Sequence, residues 1–387
     1  MTTLLEFTTR QPVEWLGALE LCAPYDFYHL PQYHALAEAA GEGSARLLVY
    51  AEGPHTIALP MLLRNLEEIP ASVAIGPGWL DATSVYGYPG PIASAGPIPD
   101  AVIANFQAVL LQRLRDWRIV TVFSRLNPLL AQRPLLASLG DFHTSQTVSI
   151  DLTLPVAVQR SKYRKSFKDA INKLRRLGLS VVRDTDGSYF DDFVRIYHET
   201  MSRVEAADRY FFPARYFTGL REALGSRLEL FMCLHQGKPV CGGLFVSCHG
   251  MLQYHLGGTL NESLQLAPMK LLVDEVRLWS ASQGLRVLHL GGGATADPDD
   301  PLLYFKRGFS DRQHEFAVWR WVVSSEQDAL LRAENSRRLA AQGLRPALAN
   351  YFPEYRCPGA PCNPVAALVP QAEPGDEPSP LLAGGTP

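Results

Sequence analysis

The sequence predicts an α/β protein with two domains in tandem, each built on a mixed sheet flanked by helices. The chain has 387 residues, whereas one ordinary domain has about 100–200. Three strand-like runs, residues 228–234, 239–248 and 251–256, follow one another across short turns, which is typical of an antiparallel meander. Helix-like and strand-like segments alternate before and after this meander, so helices are expected to cover the sheets.

The first domain is expected to occupy residues 1–154. Its most regular helix lies at 101–117, where apolar side chains recur on one face. These side chains are Val102, Phe106, Val109 and Leu110. The other predicted elements are a helix at 31–40 and strands at 45–51, 56–63, 119–123 and 147–152.

The second domain is expected at residues 155–325, because Pro155 suits the first turn of a helix. Its predicted elements are helices at 155–177, 189–206 and 213–224, the meander, a loop at 257–267, a helix at 268–284, and strands at 286–290 and 316–323. No residue-level repeat relates the two halves, so their duplication is inferred from the order of elements alone.

The end of the chain has a different composition. A polar helix is predicted within 326–352, after which residues 353–387 contain nine prolines. Such a segment cannot bury enough apolar surface to offset its ordering entropy, so 353–387 is expected to be disordered. Residues beyond about Pro358 are therefore expected to be dispensable for stability.

Composition excludes several classes of protein. The formal net charge is −3, so no global charge attracts nucleic acid and DNA is not expected as a partner. The sequence has no secretion signal and no apolar run of about 18 residues, so a cytoplasmic monomer without a membrane span is expected. Among six cysteines, Cys357 and Cys362 lack a second pair or a nearby histidine, and no metal site is expected.

The helix that opens the second domain is strongly cationic. Between Arg160 and Arg176 it carries eight basic residues and one acid, Asp169. The members expected to contact phosphate or tRNA are Arg164, Lys165, Lys168 and Lys173. A charge run is also typical of a solvated helix face, and both interpretations stay open at this point.

A glycine turn and a lysine follow the strand at 286–290. Gly291, Gly292 and Gly293 would let the backbone approach a ligand or another chain segment closely. Lys306 lies among Tyr304, Phe305 and Phe309, a setting in which a lysine can stabilise a developing oxyanion. The alternative is an ordinary surface lysine with its stem on apolar neighbours.

Aromatic and polar residues suggest further site candidates. Arg209 and Tyr210 lie in one cluster, and Tyr254 and His255 lie on the third strand of the meander. Period two places Tyr254 on the face opposite His255. Taken alone, such residues are more often part of a core, and the histidines show no triad-like spacing.

Taken in order, several segments together resemble one family. They are Arg164–Ala170 with Gly178, Tyr197–Met201, Tyr210–Phe212, Tyr254–Gly258, Leu290–Gly293, Phe305–Phe309 and, in the first half, Tyr86–Pro91. The series resembles the Fem-type transferases and the related BioF-type acetyltransferase group, over roughly residues 25–325.

The resemblance implies two tandem GNAT-like domains, with the substrate channel in the second. In Fem-type enzymes an aminoacyl-tRNA donates an amino acid to an amine, commonly on a peptidoglycan precursor. Lys306 and Phe305 match the family's Phe-Lys pair, and Tyr254 matches its site tyrosine, so Lys306 and Tyr254 are the implied catalytic residues. Phe305, Arg209, Tyr210 and Gly291–Gly293 are the expected substrate-binding residues. The helical arm that some members insert is absent from the sequence.

Three functions stay open. The first is amide formation with aminoacyl-tRNA as the donor and an amine as the acceptor, with no tightly bound cofactor. The second is acyl-CoA-dependent N-acylation of an amino sugar or small amine, although residues 257–268 lack the usual pyrophosphate-loop motif. The third is a binding protein that has kept the fold without catalysis.

Overall fold

The computed structural model describes residues 2–348 and 350–361, with the backbone alone for residues 2, 209 and 361. Its strands are β1 (Thr2–Phe7), β2 (Ser44–Glu52), β3 (His55–Asn65), β4 (Leu80–Thr83), β5 (Ile92–Ala93), β6 (Ile119–Arg125), β7 (Asp141–Asp151), β8 (Ser180–Asp184), β9 (Leu228–His235), β10 (Lys238–Cys248), β11 (Met251–Thr259), β12 (Val287–Gly292), β13 (Gln313–Val322), β14 (Leu344–Pro346) and β15 (Gly359–Pro361).

The α-helices are α1 (Pro12–Leu21), α2 (Pro31–Ala39), α3 (Asp100–Asp116), α4 (Val156–Ser161), α5 (Lys165–Arg176), α6 (Phe190–Arg203), α7 (Ala214–Leu224), α8 (Met269–Ser282), α9 (Pro301–Lys306) and α10 (Ser325–Ala341). Short 3-10 helices include Asn261–Leu266 and Glu354–Arg356. Among the described residues, one compact unit comprises 2–143 with 317–348 and 350–361, and the second comprises 144–316. The boundaries predicted from the sequence were 154 and 325.

The first unit has a mixed sheet in the order β1-β2-β3-β4-β6-β13, with β5 on β3. All neighbours are antiparallel except β4 and β6, which run parallel. Helix α3 buries Phe106, Leu110 and Leu114 against this sheet, as its apolar face predicts.

The C-terminal segment of the first unit is folded, at least as far as residue 361. Tyr355 is buried, and its hydroxyl lies 2.6 Å from Thr121 Oγ1 and 3.1 Å from Asp81 Oδ2. Arg356 forms an ion pair with the same aspartate at 2.5 Å. The expectation of disorder from Pro353 therefore does not hold for 353–361, because these polar contacts anchor a short Pro-rich stretch that composition alone would leave free. Residues 362–387 lie outside the described residues.

The second unit has a mixed sheet in the order β7-β12-β11-β10-β9-β8. Strands β8 to β11 are antiparallel neighbours, which confirms the meander, and β11 runs parallel to β12. Pairing between β11 and β12 joins only Met251–Gln253 to Val287–His289 in the described residues. Beyond these residues, β11 remains hydrogen-bonded to β10 and β12 remains hydrogen-bonded to β7. The two parallel strands therefore separate and leave a wedge-shaped gap at Tyr254 and Leu290.

Helices cover both faces of the second sheet. Helix α6 lies close to Gly258, whose missing side chain would meet the backbone carbonyl oxygen of Ile196 at 2.9 Å. Helices α5 and α8 share the other core, in which Phe167, Ile171, Leu272 and Val276 are buried. The expected loop at 257–267 is wrong at its start, because Gly257 and Gly258 belong to β11 and allow Tyr254 and α6 to pack closely.

The single helix predicted at 155–177 is also wrong, since α4 and α5 are separate. Arg164, between them, is extended (φ −54°, ψ 140°), and its amide donates to the Gly308 carbonyl at 2.9 Å. Tyr163 is buried edge-on against Phe309, with ring centroids 5.2 Å apart. These two contacts with distant residues break the helix where local periodicity would continue it.

Candidate functional site

The glycine turn after β12 is tied to α9 by one carboxylate. Asp300 is buried and caps α9, accepting from the amides of Leu302 and Leu303 at 2.9 and 3.0 Å. Its other oxygen accepts from the amides of Ala294 and Thr295 at 3.0 and 2.9 Å. Burial would raise the pKa of this carboxyl, but the hydrogen bonds outweigh burial and lower it.

The glycines serve this close packing. Gly291 has φ +78°, which favours glycine, and a side chain at Gly293 would meet Asp300 Cγ at 2.5 Å. A side chain at Gly292 would meet the Gln146 carbonyl oxygen at 2.8 Å. The turn thus places the Gly292 carbonyl and the start of α9 at fixed positions.

Lys306 ends α9 and points back to this turn. Its side chain is buried, with the residue 8% exposed, and Nζ donates to the Gly292 carbonyl at 2.6 Å. Burial lowers the pKa of Lys306 to about 7, although the charge of Asp300 acts in the opposite direction. Lys306 is therefore a held, desolvated ammonium close to its titration point at neutral pH, not the surface lysine that the sequence left open.

Two polar pairs near Lys306 were missed in the sequence. His289 on β12 is fully buried, and its Nδ1 lies 2.6 Å from Gln253 Oε1 on β11. Burial lowers the pKa of His289 to about 3, and the charges of Lys306 and His314 add to this effect, so the imidazole is neutral. A histidine between Leu288 and Leu290 in an apolar strand was the available signal.

The second pair joins β7 and β13. Ser149 Oγ lies 2.7 Å from His314 Nε2, and the His314 and His289 rings are 6.5 Å apart between centroids. Burial lowers the pKa of His314, with a contribution from Arg312. Because Ser149 and His314 are far apart in sequence and neither follows a motif, no sequence signal could have paired them.

Tyr254 lies at the wedge between β11 and β12, on the face opposite Gln253. Its hydroxyl lies 3.3 Å from Met269 Sδ, and its ring stacks on Phe245 at 4.9 Å. Burial raises the pKa of Tyr254, with a smaller contribution from Cys241, so the phenol is neutral. Among the described hydrogen bonds and ring contacts, none joins Tyr254 to Lys306.

The other predicted substrate-binding residues are dispersed. Phe305 is buried, with its ring 5.6 Å from Phe167 and 5.3 Å from Phe309. The Tyr210 carbonyl accepts from the Tyr197 hydroxyl at 2.8 Å, and the side chain of Arg209 lies outside the described residues. Of the predicted site residues whose side chains the structure describes, α9 brings Phe305 and Lys306 together with the glycine turn.

The cationic stretch divides into a paired part and an open part. Arg160 and Arg175 form ion pairs with buried Asp274 at 2.9 and 2.8 Å. Lys165 and Lys173 are exposed, and Lys168 is partly buried with Nζ 3.3 Å from the Ser161 carbonyl. Arg164 stacks over the Tyr304 ring at 3.9 Å. The four predicted phosphate contacts, together with exposed Arg176, are thus the cations of this stretch for which the described residues show no ion pair with a carboxylate.

A cavity of about 270 Å³ lies in the same unit. Its charged lining is already paired, with Lys162 3.0 Å from Asp311 and Arg312 3.2 Å from Asp151. The charged groups with which a polar ligand would have to pair are therefore already engaged in these two ion pairs.

Comparison with known proteins gives a family match over the second unit. Residues 161–307 match the model of the acetyltransferase (GNAT) domain, a span that includes the meander, α8, the glycine turn and Lys306. No curated protein matches the sequence.

Solved structures similar to the chain match most of its length. FemX is 11% identical, with a TM-score of 0.60, over 81% of this chain and 96% of that one. L-PGS from Bacillus licheniformis is 12% identical, with a TM-score of 0.50, over 84% and 96%. A conserved protein of unknown function from Bacteroides thetaiotaomicron is 11% identical, with a TM-score of 0.52, over 83% and 100%. At these identities the likeness shows the fold.

No described helix is long and apolar enough to cross a bilayer.

Proposed function

We propose that this chain, an acyltransferase with a Fem/GNAT-like fold, forms an amide bond by moving an aminoacyl group from aminoacyl-tRNA to an amine acceptor. The acceptor is a peptidoglycan-type precursor, a peptide or a small molecule that bears the amine. The observation that carries this proposal is Lys306, a buried ammonium held by the Gly292 carbonyl at 2.6 Å beside a rigid glycine turn.

The chemistry follows from where charge develops. The acceptor nitrogen attacks the ester carbonyl of the donor, and the carbonyl oxygen becomes negative in the tetrahedral intermediate. The intermediate collapses as the ribose oxygen of the tRNA leaves with the proton that the amine loses. A desolvated ammonium close to the carbonyl oxygen stabilises the intermediate more than the uncharged ester, which is the requirement for catalysis.

The protein contributes to the reaction more by positioning the reactants than by acting as a strong base. The imidazole of His289 stays neutral next to Lys306, because burial lowers its pKa to about 3. Tyr254 is likewise a neutral phenol at the wedge, suited to hydrogen bonding with the acyl group. The acceptor amine therefore has to arrive neutral, and the site contributes orientation and electrostatic stabilisation.

The donor is proposed from the open cations of α5. Lys165 and Lys173 are exposed and Lys168 is partly buried, while the carboxylates of α8 are already taken by Arg160, Arg175 and Arg277. Such unneutralised cations on one helix suit the phosphodiester backbone of a nucleic acid.

The alternative function is acyl-CoA-dependent N-acetylation of an amino sugar, polysaccharide precursor or small amine. The observation that favours it is the match of residues 161–307 to the acetyltransferase (GNAT) domain. The same Lys306 geometry would serve a thioester carbonyl, so the donor is what separates the two functions.

Binding of tRNA at varied salt tests the proposed donor. We expect a steep linear fall of log K with log salt concentration, because several phosphate contacts release counterions. Neutralising Lys165, Lys168 and Lys173 together should flatten the slope by about one unit for each lost contact. A matched control replaces Lys238, an exposed lysine at the start of β10. Salt-independent affinity, or no binding at low salt, would favour the acyl-CoA function.

A further inference from the structure

The proposed reaction requires the acceptor amine to lose a proton before it attacks the ester. An alkyl amine has a pKa of about 10, so at neutral pH the acceptor is mostly an ammonium. Only the neutral amine is a nucleophile, and one proton per turnover therefore has to reach solvent. Lys306 does not take up this proton in the proposed function, because it acts there as an ammonium that is already charged.

Two histidines lie near Lys306, and they differ in their access to solvent. His289 is fully buried, and its Nδ1 donates to Gln253 Oε1 at 2.6 Å, since a carbonyl oxygen can only accept. An amide side chain does not carry a proton onward, so this nitrogen of His289 offers no exit. His314 is only partly buried, and its ring centroid lies 6.5 Å from that of His289. His314 is therefore the imidazole that can exchange protons with water.

Ser149 links the buried side of this region to His314. Its side chain is fully buried, and Oγ lies 2.7 Å from His314 Nε2. In the pairing of β7 with β12, Ser149 is directly opposite His289. A hydroxyl both accepts and donates, so Ser149 can receive a proton from one neighbour while it gives its own proton to the imidazole.

Thr147 marks the inner end of the same row. Period two places Thr147 and Ser149 on one face of β7, and Thr147 is the strand partner of Gly292, whose carbonyl holds Lys306. Thr147 is fully buried, and its hydroxyl has no hydrogen-bond partner within the described part of the chain. Because an unpaired buried hydroxyl is unfavourable, a polar group of the substrate at this place would satisfy it.

We propose that Ser149 and His314 form a proton-transfer pair that takes a proton from the acceptor ammonium and passes it to solvent. The ammonium binds between the hydroxyls of Thr147 and Ser149. One of its protons moves to Ser149 Oγ as the Ser149 proton moves to His314 Nε2, and the imidazolium then releases its Nδ1 proton to water. The neutral amine attacks the donor carbonyl, and its second proton leaves with the ribose oxygen.

The charged and titratable groups around His314 keep it ready to accept a proton. Burial lowers the pKa of His314, and Arg312 on the same strand lowers it further, although Arg312 is itself paired with Asp151 at 3.2 Å. On β12, His289 is neutral, because burial and the charge of Lys306 lower its pKa to about 3. The His314 imidazole is thus unprotonated at neutral pH, and it loses its capacity to accept as the pH falls through its lowered pKa.

The test compares His314→Gln and Ser149→Ala with His143→Gln, which changes an exposed histidine near the start of β7. Glutamine can still accept from the Ser149 hydroxyl but cannot take up a proton. Amide formation by the full-length proteins is measured against pH. We expect each of the first two changes to lower kcat about 100-fold at neutral pH with little effect on the donor KM. The double variant should be no slower, because the two residues act as one unit.

Two readouts separate proton transfer from a structural role. His314→Gln should lose the fall in rate on the acid side of the pH profile, and added imidazole should restore part of its rate. Its melting temperature should stay near that of the wild type. Thr147→Val, which keeps the shape of the side chain and removes the hydroxyl, should raise the acceptor KM about tenfold and leave the donor KM unchanged.

The inference rests on amide formation as the proposed function, and the outcomes tell the two apart. Wild-type rates and pH profiles in both Ser149→Ala and His314→Gln would overturn the proton-transfer pair and leave amide formation intact. A slower His314→Gln whose pH profile is unchanged, and which imidazole does not rescue, would also overturn it. The predicted losses, observed with acetyl-CoA but not with aminoacyl-tRNA as donor, would support the pair and contradict the tRNA donor.

Discussion

At the scale of single residues, the account depends on how Lys306 differs from an ordinary lysine. Its side chain is buried, and burial lowers its pKa to about 7. The Gly292 carbonyl accepts a hydrogen bond from its ammonium at 2.6 Å and so orients it beside the glycine turn. The proposed function assigns this ammonium to the reacting carbonyl, so its loss is expected to change the rate more than donor binding.

Replacing Lys306 by Met should lower turnover by roughly 100-fold or more, on the order of 3 kcal/mol, as for loss of one oxyanion donor. Donor binding should change much less, because the ground-state carbonyl is uncharged. Single-turnover rates and binding constants measured on the same preparations check this split. Near wild-type turnover would mean that Lys306 is structural, and the catalytic role would move to the Gly291–Gly293 backbone or to Tyr254.

The pH profile of turnover gives an independent check on Lys306. If the charged ammonium is the active form, activity should fall as pH rises through its pKa of about 7. Lys306→Arg keeps its charge over this range, so its lower rate should lack that high-pH loss. An identical loss in both proteins would assign the titration to another group.

At the scale of elements, Asp300 is the junction between the glycine turn and α9. Its two oxygens accept from four backbone amides, and Gly293 leaves space for it. Since α9 ends at Lys306, the position of the ammonium depends on this carboxylate. A helix of six residues would have little stability without such a cap.

Asp300→Ala should therefore reduce the free energy of unfolding by about 2–4 kcal/mol, from the lost cap and the unsatisfied amides. Because the folded state lowers the pKa of Asp300 below its usual 3.8, the stabilisation is complete above that pH and is lost as pH falls below it. Denaturant unfolding at several pH values measures this difference. Asp299→Ala, an exposed change in the same turn, should cost less than about 0.5 kcal/mol. Equal effects of the two changes would contradict the assigned role.

The elements also show what the sequence could and could not predict. The meander was predictable because its period of two and its turns are local signals. The break between α4 and α5 was not, since it depends on contacts of Tyr163 and Arg164 with Phe309 and Gly308. Lys306 was a candidate from its place among aromatic residues after a glycine turn, and the resemblance implied its catalytic role. Its polar surroundings, Gln253 with His289 and Ser149 with His314, join strands distant in sequence and needed the fold.

At the scale of the whole molecule, the described residues form two compact units, and residues 317–348 and 350–361 belong to the first. Asp81, which is fully buried, holds Arg64, Tyr355 and Arg356. Tyr355 and Arg356 thus complete a buried polar network around Asp81 of strand β4. This connection accounts for the order of residues 353–361 despite their proline content.

Two truncations test this connection. Ending the chain after Pro361 should leave the free energy of unfolding unchanged, as the tail composition predicts. Ending it after Phe352 removes Tyr355 and Arg356. The free energy of unfolding should then fall by at least about 3 kcal/mol, because the buried carboxylate of Asp81 loses these two partners. Thermal or denaturant unfolding of the two proteins gives the comparison. Equal stability would show that residues 353–361 do not support the first unit.

The most direct test of the central claim is which donor the purified protein consumes. The protein is incubated with a labelled aminoacyl-tRNA pool or with labelled acetyl-CoA, together with a mixture of amine acceptors, and amide product is measured. Lys306→Met serves as the matched negative control. The account predicts amine-dependent loss of the aminoacyl ester, much slower in Lys306→Met, and no amide from acetyl-CoA. Amide formed from acetyl-CoA alone, with the aminoacyl-tRNA pool untouched, would contradict it.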